Sequence, residues 1–113
     1  MSDPIKEFQN FRKKMNQKIL ENAGLETKRF MALDKNAYKQ GALSEKTKEL
    51  MGLTASLVLR CDDCVRYHLI TCIDLGITDS QLYEAFHIAL VVGGSIVIPH
   101  LRRVVDFLEK LRS

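Results

Sequence analysis

The segment "CDDCVRYHLITCIDLGITDSQLYEAFHIALVVGG", residues 61–94, predicts two consecutive α-helices. Its apolar side chains recur at spacings of three and four residues, and strict alternation never extends beyond a few positions. Gly76 is suited to end the first helix, and Thr78 or Asp79 can cap the start of the second. The centre of the chain is therefore predicted to be helical rather than stranded.

The same helical spacing extends to both sides of this segment, and glycine, proline or hydroxyl residues mark the breaks. The Gly93-Gly94 pair is expected to break or bend the helix before it, or to let helices pack closely. The remaining predicted helices are, in chain order, residues 4–22 ended near Gly24, a helix capped by Thr27 and stopped by Gly41, a helix from Ser44 to about Leu59, and a helix from about Ser95 to Leu111 with Pro99 in its first turn or marking a slightly later start. The predicted fold class is all-α, with about six helices.

Composition and charge limit the classes of protein to which the chain can belong. Its 113 residues, 46% of them hydrophobic, suit a single domain spanning residues 1–113. The net charge of +3 is spread along the chain, so the concentrated basic face of a nucleic-acid-binding protein is not expected. The longest apolar run, residues 88–99, is shorter than a membrane span and contains glycines, so no membrane association is expected. The N-terminal region lacks the apolar core of a secretory signal, which predicts a cytoplasmic location.

Three residues with reactive side chains form the pattern C-x-x-C-x-x-x-H: Cys61, Cys64 and His68. On a helix they occupy one narrow stripe, with Cys64 and His68 one turn apart and Cys61 and Cys64 close enough for a disulfide. A zinc site is disfavoured because Cys61 and His68 would lie about 10 Å apart along the axis, and no second cluster of ligands is present. Cys72, one turn further on, is interpreted as a small buried hydrophobic residue. Neither a metal nor an organic cofactor is predicted.

A redox role for the cysteine pair has a physical basis. A thiol at the start of a helix faces unpaired N–H groups and the positive end of the helix dipole, which favour the thiolate. Arg60 and Arg66 favour the thiolate as well, whereas Asp62 and Asp63 oppose it, so the sequence leaves the net shift open. His68 offers a larger effect, since as base to the neighbouring thiol and then acid to a leaving group it can contribute about 10² to 10⁴ in rate. The alternative is a histidine without a catalytic role.

A wider pattern surrounds this stretch. The segment "GALSEKTKELMGLTASLVLRCDDCVRYHLITCIDLGITDSQLYEAFHIALVVGG", residues 41–94, contains E-x11-C-x-x-C-x-x-x-H, in which Glu49 supplies the acidic position. The segment resembles the carboxymuconolactone decarboxylase/AhpD-like alkylhydroperoxidase family. The resemblance covers roughly residues 30–108 and leaves an N-terminal helix, about residues 1–24, outside the clearest match. It implies an AhpD-like helical bundle that forms a homo-oligomer, with a hexamer expected and a trimer as the alternative.

The resemblance also implies that the catalytic residues are Glu49, Cys61, Cys64 and His68. Glu49 would orient and polarise His68, which would activate Cys64 for attack on a small organic peroxide. Cys61 would resolve the resulting sulfenic acid, and an external dithiol, a thioredoxin-like or lipoyl-type reductant, would reduce the Cys61–Cys64 disulfide. The chain departs from the alkylhydroperoxidases at Asp63, where these commonly carry a histidine. The implied function is that of an enzyme, a thiol-dependent alkyl hydroperoxidase or disulfide oxidoreductase.

Two other functions remain open. One is a redox-responsive binding module without catalysis, in which the disulfide changes assembly or partner affinity. The other is a carboxymuconolactone decarboxylase-like lyase that uses His68 and Glu49 as acid and base. Decarboxylases of the family lack the cysteine pair, so its presence here favours the redox function. His87 and His100 are interpreted as ordinary helix residues outside the core of the site.

Overall fold

The computed structural model describes residues 3–113 and contains, within that range, six α-helices, one short 3-10 turn and no β-strand. The helices are, in chain order, α1 (Pro4–Asn22), α2 (Leu25–Ala37), α3 (Glu45–Val58), α4 (Asp62–Asp74), α5 (Asp79–Gly93) and α6 (Ile98–Arg112). The 3-10 turn, Ser95–Val97, lies between α5 and α6. The predicted all-α fold class with about six helices is confirmed. Among these helices, none has the length and apolar character needed to cross a membrane.

Two helices of the C-terminal part begin at the caps that the sequence predicts. The Ser44 hydroxyl accepts a hydrogen bond from the Thr47 backbone N–H at 3.1 Å and so caps α3. Thr78 caps α5 through a capping box, since its hydroxyl accepts from the Gln81 backbone N–H and the Gln81 side chain accepts from the Thr78 N–H. Each contact pairs a donor that would otherwise be orphaned at a helix end.

The second helix begins earlier than predicted, and Thr27 is not its cap. Gly24 is the N-cap residue, in an extended conformation and without a side-chain cap, so Thr27 lies in the first turn. The reason is that Leu25 and Glu26 are good helix formers, and a carboxylate in a first turn is favoured by the helix dipole. The helix also ends at Ala37, before the predicted stop at Gly41.

The Gly93-Gly94 pair both ends α5 and permits a close approach. Gly94 has a φ of 83°, a left-handed conformation that favours glycine, and it turns the chain into the 3-10 segment. A Cβ added to Gly93 would overlap the side chain of Val97. The helix α6 begins at Ile98, slightly later than Ser95, and Pro99 lies in its first turn. Residues Ser95–Val97 form the 3-10 turn instead.

The described chain contains two compact units, one ending at Lys39 and one running from Gln40 to Ser113. The first unit contains α1 and α2. Asp3 caps α1 by accepting from the backbone N–H groups of Ile5 and Lys6. No residue of α1 or α2 is buried, and Phe11, Phe30 and Leu33 are largely exposed, so the described part of this unit has no core of its own.

The second unit contains a continuous hydrophobic core formed by α3 to α6. In it α3 packs against α4 and α5, while α6 packs against α4. The largest side chains that are fully buried come from every part of this unit: Leu53, Leu57, Leu69, Cys72, Leu82, Phe86, Val97 and Val104. Because α3 and α4 are both anchored in this core, side chains on their facing surfaces are held at fixed positions.

Candidate active site

A tight turn between α3 and α4 positions the first cysteine. The Cys61 N–H donates to the Ser56 carbonyl and the Arg60 N–H to the Leu57 carbonyl, both at 3.0 Å. This pair of bonds forms a Schellman motif, in which the residue after the C-cap adopts a left-handed conformation. Arg60 occupies that position with a φ of 60°. The chain thus reverses within three residues, Leu59 to Cys61, and α4 starts directly afterwards.

The cysteine pair lies at the N-terminus of α4. Cys61 is the N-cap residue, and its Sγ accepts a hydrogen bond from the Cys64 backbone N–H at 3.3 Å. The two residues are joined by a disulfide, with Cα atoms 5.3 Å apart. Both are partly exposed. A sulfur atom placed at a helix N-terminus interacts with unpaired N–H groups, which stabilise negative charge on a thiolate.

One turn along α4 from Cys64, His68 forms a buried contact with Glu49 of α3. Glu49 Oε2 and His68 Nδ1 are 2.8 Å apart, and the residues are only 4% and 8% exposed. A carboxylate accepts hydrogen bonds, so Nδ1 is the nitrogen that donates and carries the proton. In the neutral ring the lone pair is then on Nε2. The Tyr67 ring packs edge-on against the imidazole, with centroids 5.3 Å apart.

The four residues of the predicted motif therefore share one part of the second unit. Cys61 and Cys64 are bonded to each other, Glu49 is hydrogen-bonded to His68, and one turn of α4 separates Cys64 from His68. Residues one turn apart on a helix lie on the same face. The arrangement combines a thiol pair, an imidazole with an assigned tautomer, and a buried carboxylate that orients it. Such a set can ionise a thiol and return the proton to a leaving group.

The third cysteine lies in the core, as predicted. Cys72 is fully buried, and desolvation together with the nearby Glu49 carboxylate raises the pKa of its thiol from 9.0 to about 12. At neutral pH Cys72 is therefore a protonated apolar residue. Within residues 3–113, no three histidine, cysteine or acidic side chains are arranged to hold a metal ion.

One contact near the disulfide involves a histidine that sequence reasoning placed outside the site. His100 of α6 lies with its Nδ1 2.8 Å from Oδ1 of Asp62, the residue that follows Cys61. Arg103 donates to the other carboxylate oxygen, Oδ2, at 3.1 Å. Because 38 residues separate Asp62 from His100, no local spacing could have revealed the pair. His87, in contrast, is exposed on α5.

A surface groove of about 400 Å³ follows α6, and none of the four motif residues lines it. Its lining consists of Ile98, Leu101, Arg102, Val105, Asp106 and Glu109. The groove is therefore not assigned as the substrate site.

Comparison with known proteins gives the chain its relatives. The sequence profile of the carboxymuconolactone decarboxylase family matches residues 25–107. A curated relative, uncharacterized protein 4 in the cox locus of Paracoccus denitrificans, is 27% identical over 82 residues, which are 73% of this chain and 74% of the relative.

Solved structures of similar proteins have the same fold. Two crystal structures of a Thermotoga maritima protein match with TM-scores of 0.93 and 0.91 and identities of 60% and 58%. They cover 95% and 94% of this chain, and 94% and 90% of their own chains are matched. The second is described as a carboxymuconolactone decarboxylase family protein for which an involvement in antioxidative response has been suggested. A family protein from Legionella pneumophila, solved in its apo form, is 27% identical with a TM-score of 0.81, covering 98% of this chain and 96% of its own. The chain described here therefore belongs to the carboxymuconolactone decarboxylase family.

Proposed function

We propose that the protein is a thiol-dependent peroxidase that reduces small organic peroxides with the Cys61–Cys64 pair. The observation that carries the proposal is the buried Glu49–His68 hydrogen bond, one turn along α4 from a disulfide at the N-terminus of that helix. The antioxidative response suggested for the Thermotoga maritima relative agrees with this chemistry. The coarser conclusion, a family member with a C-x-x-C disulfide, holds independently of the substrate.

Cys64 is the thiol that attacks the peroxide. It lies one turn from His68, whereas Cys61 lies two turns away, about 10 Å along the helix axis. His68 Nε2 removes the Cys64 proton, and the thiolate attacks an oxygen of the O–O bond. That bond breaks, Cys64 becomes a sulfenic acid, and the departing alkoxide takes the proton from the imidazolium to leave as an alcohol.

Cys61 completes the oxidative half of the cycle. Its thiolate attacks the sulfenic sulfur of Cys64 and displaces hydroxide, which leaves as water after taking up the proton from the Cys61 thiol. The products are the Cys61–Cys64 disulfide, one alcohol and one water for each peroxide and two thiols consumed. An external dithiol then reduces the disulfide through a mixed disulfide, and its own thiols become oxidised.

Glu49 acts through His68 and is a positioning residue. Its carboxylate holds the Nδ1 proton, so Nε2 is kept as the basic nitrogen, and it stabilises the imidazolium that forms during proton transfer. Burial of both groups excludes competing water and strengthens this interaction. A lyase reaction would use the same two residues but not the disulfide. A binding module would use the disulfide but not the Glu49–His68 pair, so only the redox enzyme uses both.

We also propose that the protein assembles as a homo-oligomer, a hexamer rather than a trimer, in the cytoplasm. Support for assembly comes from apolar side chains of α5 and the turn after it that are more than half exposed: Ile88, Val91, Val92 and Ile96. Light scattering on the wild type and on Val91→Asp tests this proposal. A single monomeric mass for both proteins would contradict it.

The experiment that tests the function is peroxide-dependent oxidation of a dithiol such as dihydrolipoamide. Cys64→Ser should abolish turnover, because Cys61 lies two helical turns from the proposed base His68 and Cys72 is buried as a protonated thiol. Cys61→Ser should leave Cys64 trapped as sulfenic or sulfinic acid, visible by mass spectrometry. Cys72→Ala is the matched control and should keep wild-type turnover. Full turnover in Cys64→Ser, or a peroxide-induced disulfide that includes Cys72, would refute the proposed roles.

A further inference from the structure

Asp62, one of the two residues between the cysteines, is held by two side chains of α6. His100 Nδ1 contacts Oδ1 at 2.8 Å, and Arg103 Nη1 contacts Oδ2 at 3.1 Å. The Asp62 and His100 side chains are 33% and 17% exposed, so the set is partly shielded from water. Below, the Asp62 network denotes Asp62, His100 and Arg103. It joins the first turn of α4, which carries the disulfide, to α6.

The contacts indicate which atom of His100 carries a proton. A carboxylate 2.8 Å from Nδ1 requires a proton on that nitrogen, so His100 donates to Asp62. The contact of 3.4 Å between Arg103 Nη1 and His100 Nδ1 is then not a hydrogen bond, because both atoms carry hydrogens. With a neutral imidazole, the network consists of one carboxylate, one guanidinium and one neutral donor, and its net charge is zero.

This charge balance matters for the cysteines because Asp62 is adjacent to Cys61 and lies in the same helical turn as Cys64. An uncompensated carboxylate there would repel a thiolate. The disulfide itself carries no charge, so a nearby charge changes the free energy of the reduced, ionised form far more than that of the oxidised form. Other ionisable groups close by in sequence or across the α3–α4 interface are Arg60, Asp63, Arg66, Glu49 and His68.

We propose that the Asp62 network sets the reduction potential of the Cys61–Cys64 disulfide, with Arg103 offsetting the charge of Asp62 and His100 holding the carboxylate in place. The three residues are positioning residues, since they act through the cysteines. The inference rests on the redox pair of the proposed function, but it does not depend on peroxide as the substrate.

If Arg103 offsets the charge of Asp62, removing either residue should shift the reduction potential of the disulfide, and the two shifts should have opposite signs. Arg103→Met leaves Asp62 uncompensated, so the thiolate form is disfavoured and the disulfide becomes harder to reduce. Asp62→Asn leaves Arg103 uncompensated, so the disulfide becomes easier to reduce. A purely structural contact predicts the same sign for both variants, because each breaks the same link between α4 and α6.

The test is the equilibrium of each purified full-length variant with glutathione at about pH 9, where thiols ionise to a large extent. A unit charge near a partly exposed thiolate should change the equilibrium constant for reduction roughly threefold to tenfold, or about 15 to 30 mV for a two-electron couple. Arg103→Met should lower the constant and Asp62→Asn should raise it. Arg103→Lys retains the charge and should stay within about twofold of wild type.

Two matched controls and a folding measurement complete the design. Arg102→Met removes a charge from the adjacent position of α6, which lines the surface groove, and should shift the constant less than Arg103→Met does. His100→Gln replaces one neutral hydrogen-bond donor by another and should change the equilibrium constant for reduction by less than about twofold. Circular dichroism of every variant tests whether it is folded. Shifts of equal sign for Arg103→Met and Asp62→Asn, or the absence of any shift, would overturn the inference and leave the peroxidase proposal intact. A wild type that forms no reversible Cys61–Cys64 disulfide would overturn both.

Discussion

Two histidine–carboxylate pairs involve α4, and they have the same contact distance in different surroundings. His68 of α4 and Glu49 of α3 are buried, with side chains 10% and 5% exposed, whereas Asp62 at the start of α4 and His100 of α6 have side chains 33% and 17% exposed. Both pairs join a carboxylate oxygen to Nδ1 at 2.8 Å. Equal geometry therefore does not imply equal energy, because water screens the outer pair far more than the inner one.

The inner pair is suited to proton transfer and the outer one to charge balance. In the interior, an imidazole with an assigned tautomer can exchange a proton with a thiol without competition from solvent. At the start of α4, a compensated carboxylate can adjust the stability of a thiolate by a modest factor. The following variants test this division between the interior and the N-terminal end of α4.

The largest expected difference is between the thiols of the two regions. Cys72, in the interior, has a pKa raised from 9.0 to about 12, so its thiolate fraction at pH 8 should be about a thousandfold below that of an ordinary thiol. We expect iodoacetamide to modify Cys61 and Cys64 in the reduced, folded protein and to leave Cys72 unmodified, as mapped by mass spectrometry. In urea all three should react. Rapid modification of Cys72 in the folded state would show that the interior is open to solvent.

The same shift predicts how stability depends on pH in the alkaline range. The folded-state pKa of Cys72 is raised, so its contribution to stability is complete below the unfolded value of 9.0 and decreases as the pH rises toward about 12. The loss should approach about 1.4 kcal/mol per pH unit within that window. Urea unfolding of wild type and Cys72→Ala at pH 8 to 11 measures it. Parallel curves for the two proteins would contradict the shift.

The next largest effect concerns the two histidines. His68→Gln should slow peroxide-dependent oxidation of a dithiol by about 10² or more, because it removes the base, while His100→Gln should change this rate by less than about threefold. Glu49→Gln should also cost about 10², and the double variant Glu49→Gln/His68→Gln should cost little beyond His68→Gln alone. Additive losses would mean that Glu49 contributes independently of the imidazole. Thermal melting of each variant separates lost chemistry from unfolding.

The free energy of unfolding should also depend more on the buried pair than on the partly exposed one, although the difference is smaller than that in rate. Glu49→Ala leaves a buried imidazole N–H without its acceptor and should lower the free energy of unfolding by about 2 kcal/mol. Asp62→Ala breaks contacts that are partly exposed and should cost less than about 1 kcal/mol. Urea unfolding of both variants at pH 7 gives the comparison. A larger loss for Asp62→Ala would reverse the assignment of the two regions.

The Cys61, Cys64 and His68 motif was accessible to sequence reasoning because its residues are close together in the sequence. Cys61, Cys64 and His68 follow one helical stripe, so their spacing alone groups them. Ser44 and Thr78 predict helix starts for the same reason, since a cap is decided by neighbouring residues. Glu49 required the family pattern, because it reaches His68 from another helix. Its assignment as part of the catalytic set stays a prediction, as do the roles of the other three.

The Asp62 network could not be derived in this way. Asp62 meets His100 and Arg103 only because α6 packs against α4, and that contact depends on the tertiary fold rather than on any spacing along the chain. The left-handed conformation of Arg60 could not be predicted from the sequence either. Glycine normally signals such a position, and the chain has an arginine there instead.

The smallest expected effect concerns the backbone of Arg60, the residue before Cys61, which is the N-cap of α4. A residue with a Cβ at a φ of 60° meets a steric cost of about 1 kcal/mol that glycine avoids. Replacing Arg60 directly by glycine would change both the backbone cost and the charge beside the disulfide, so Arg60→Ala serves as the reference. Both variants lack the guanidinium, and they differ only in the Cβ and in the entropy of the unfolded chain, which disfavours glycine by a part of the same amount. We expect Arg60→Gly to be more stable than Arg60→Ala by about 0.5 kcal/mol in urea unfolding at pH 7.

Greater stability of Arg60→Ala would mean that the turn does not hold a left-handed residue in solution. The Schellman contacts of Cys61 and Arg60 would then not be what places the disulfide at the helix N-terminus.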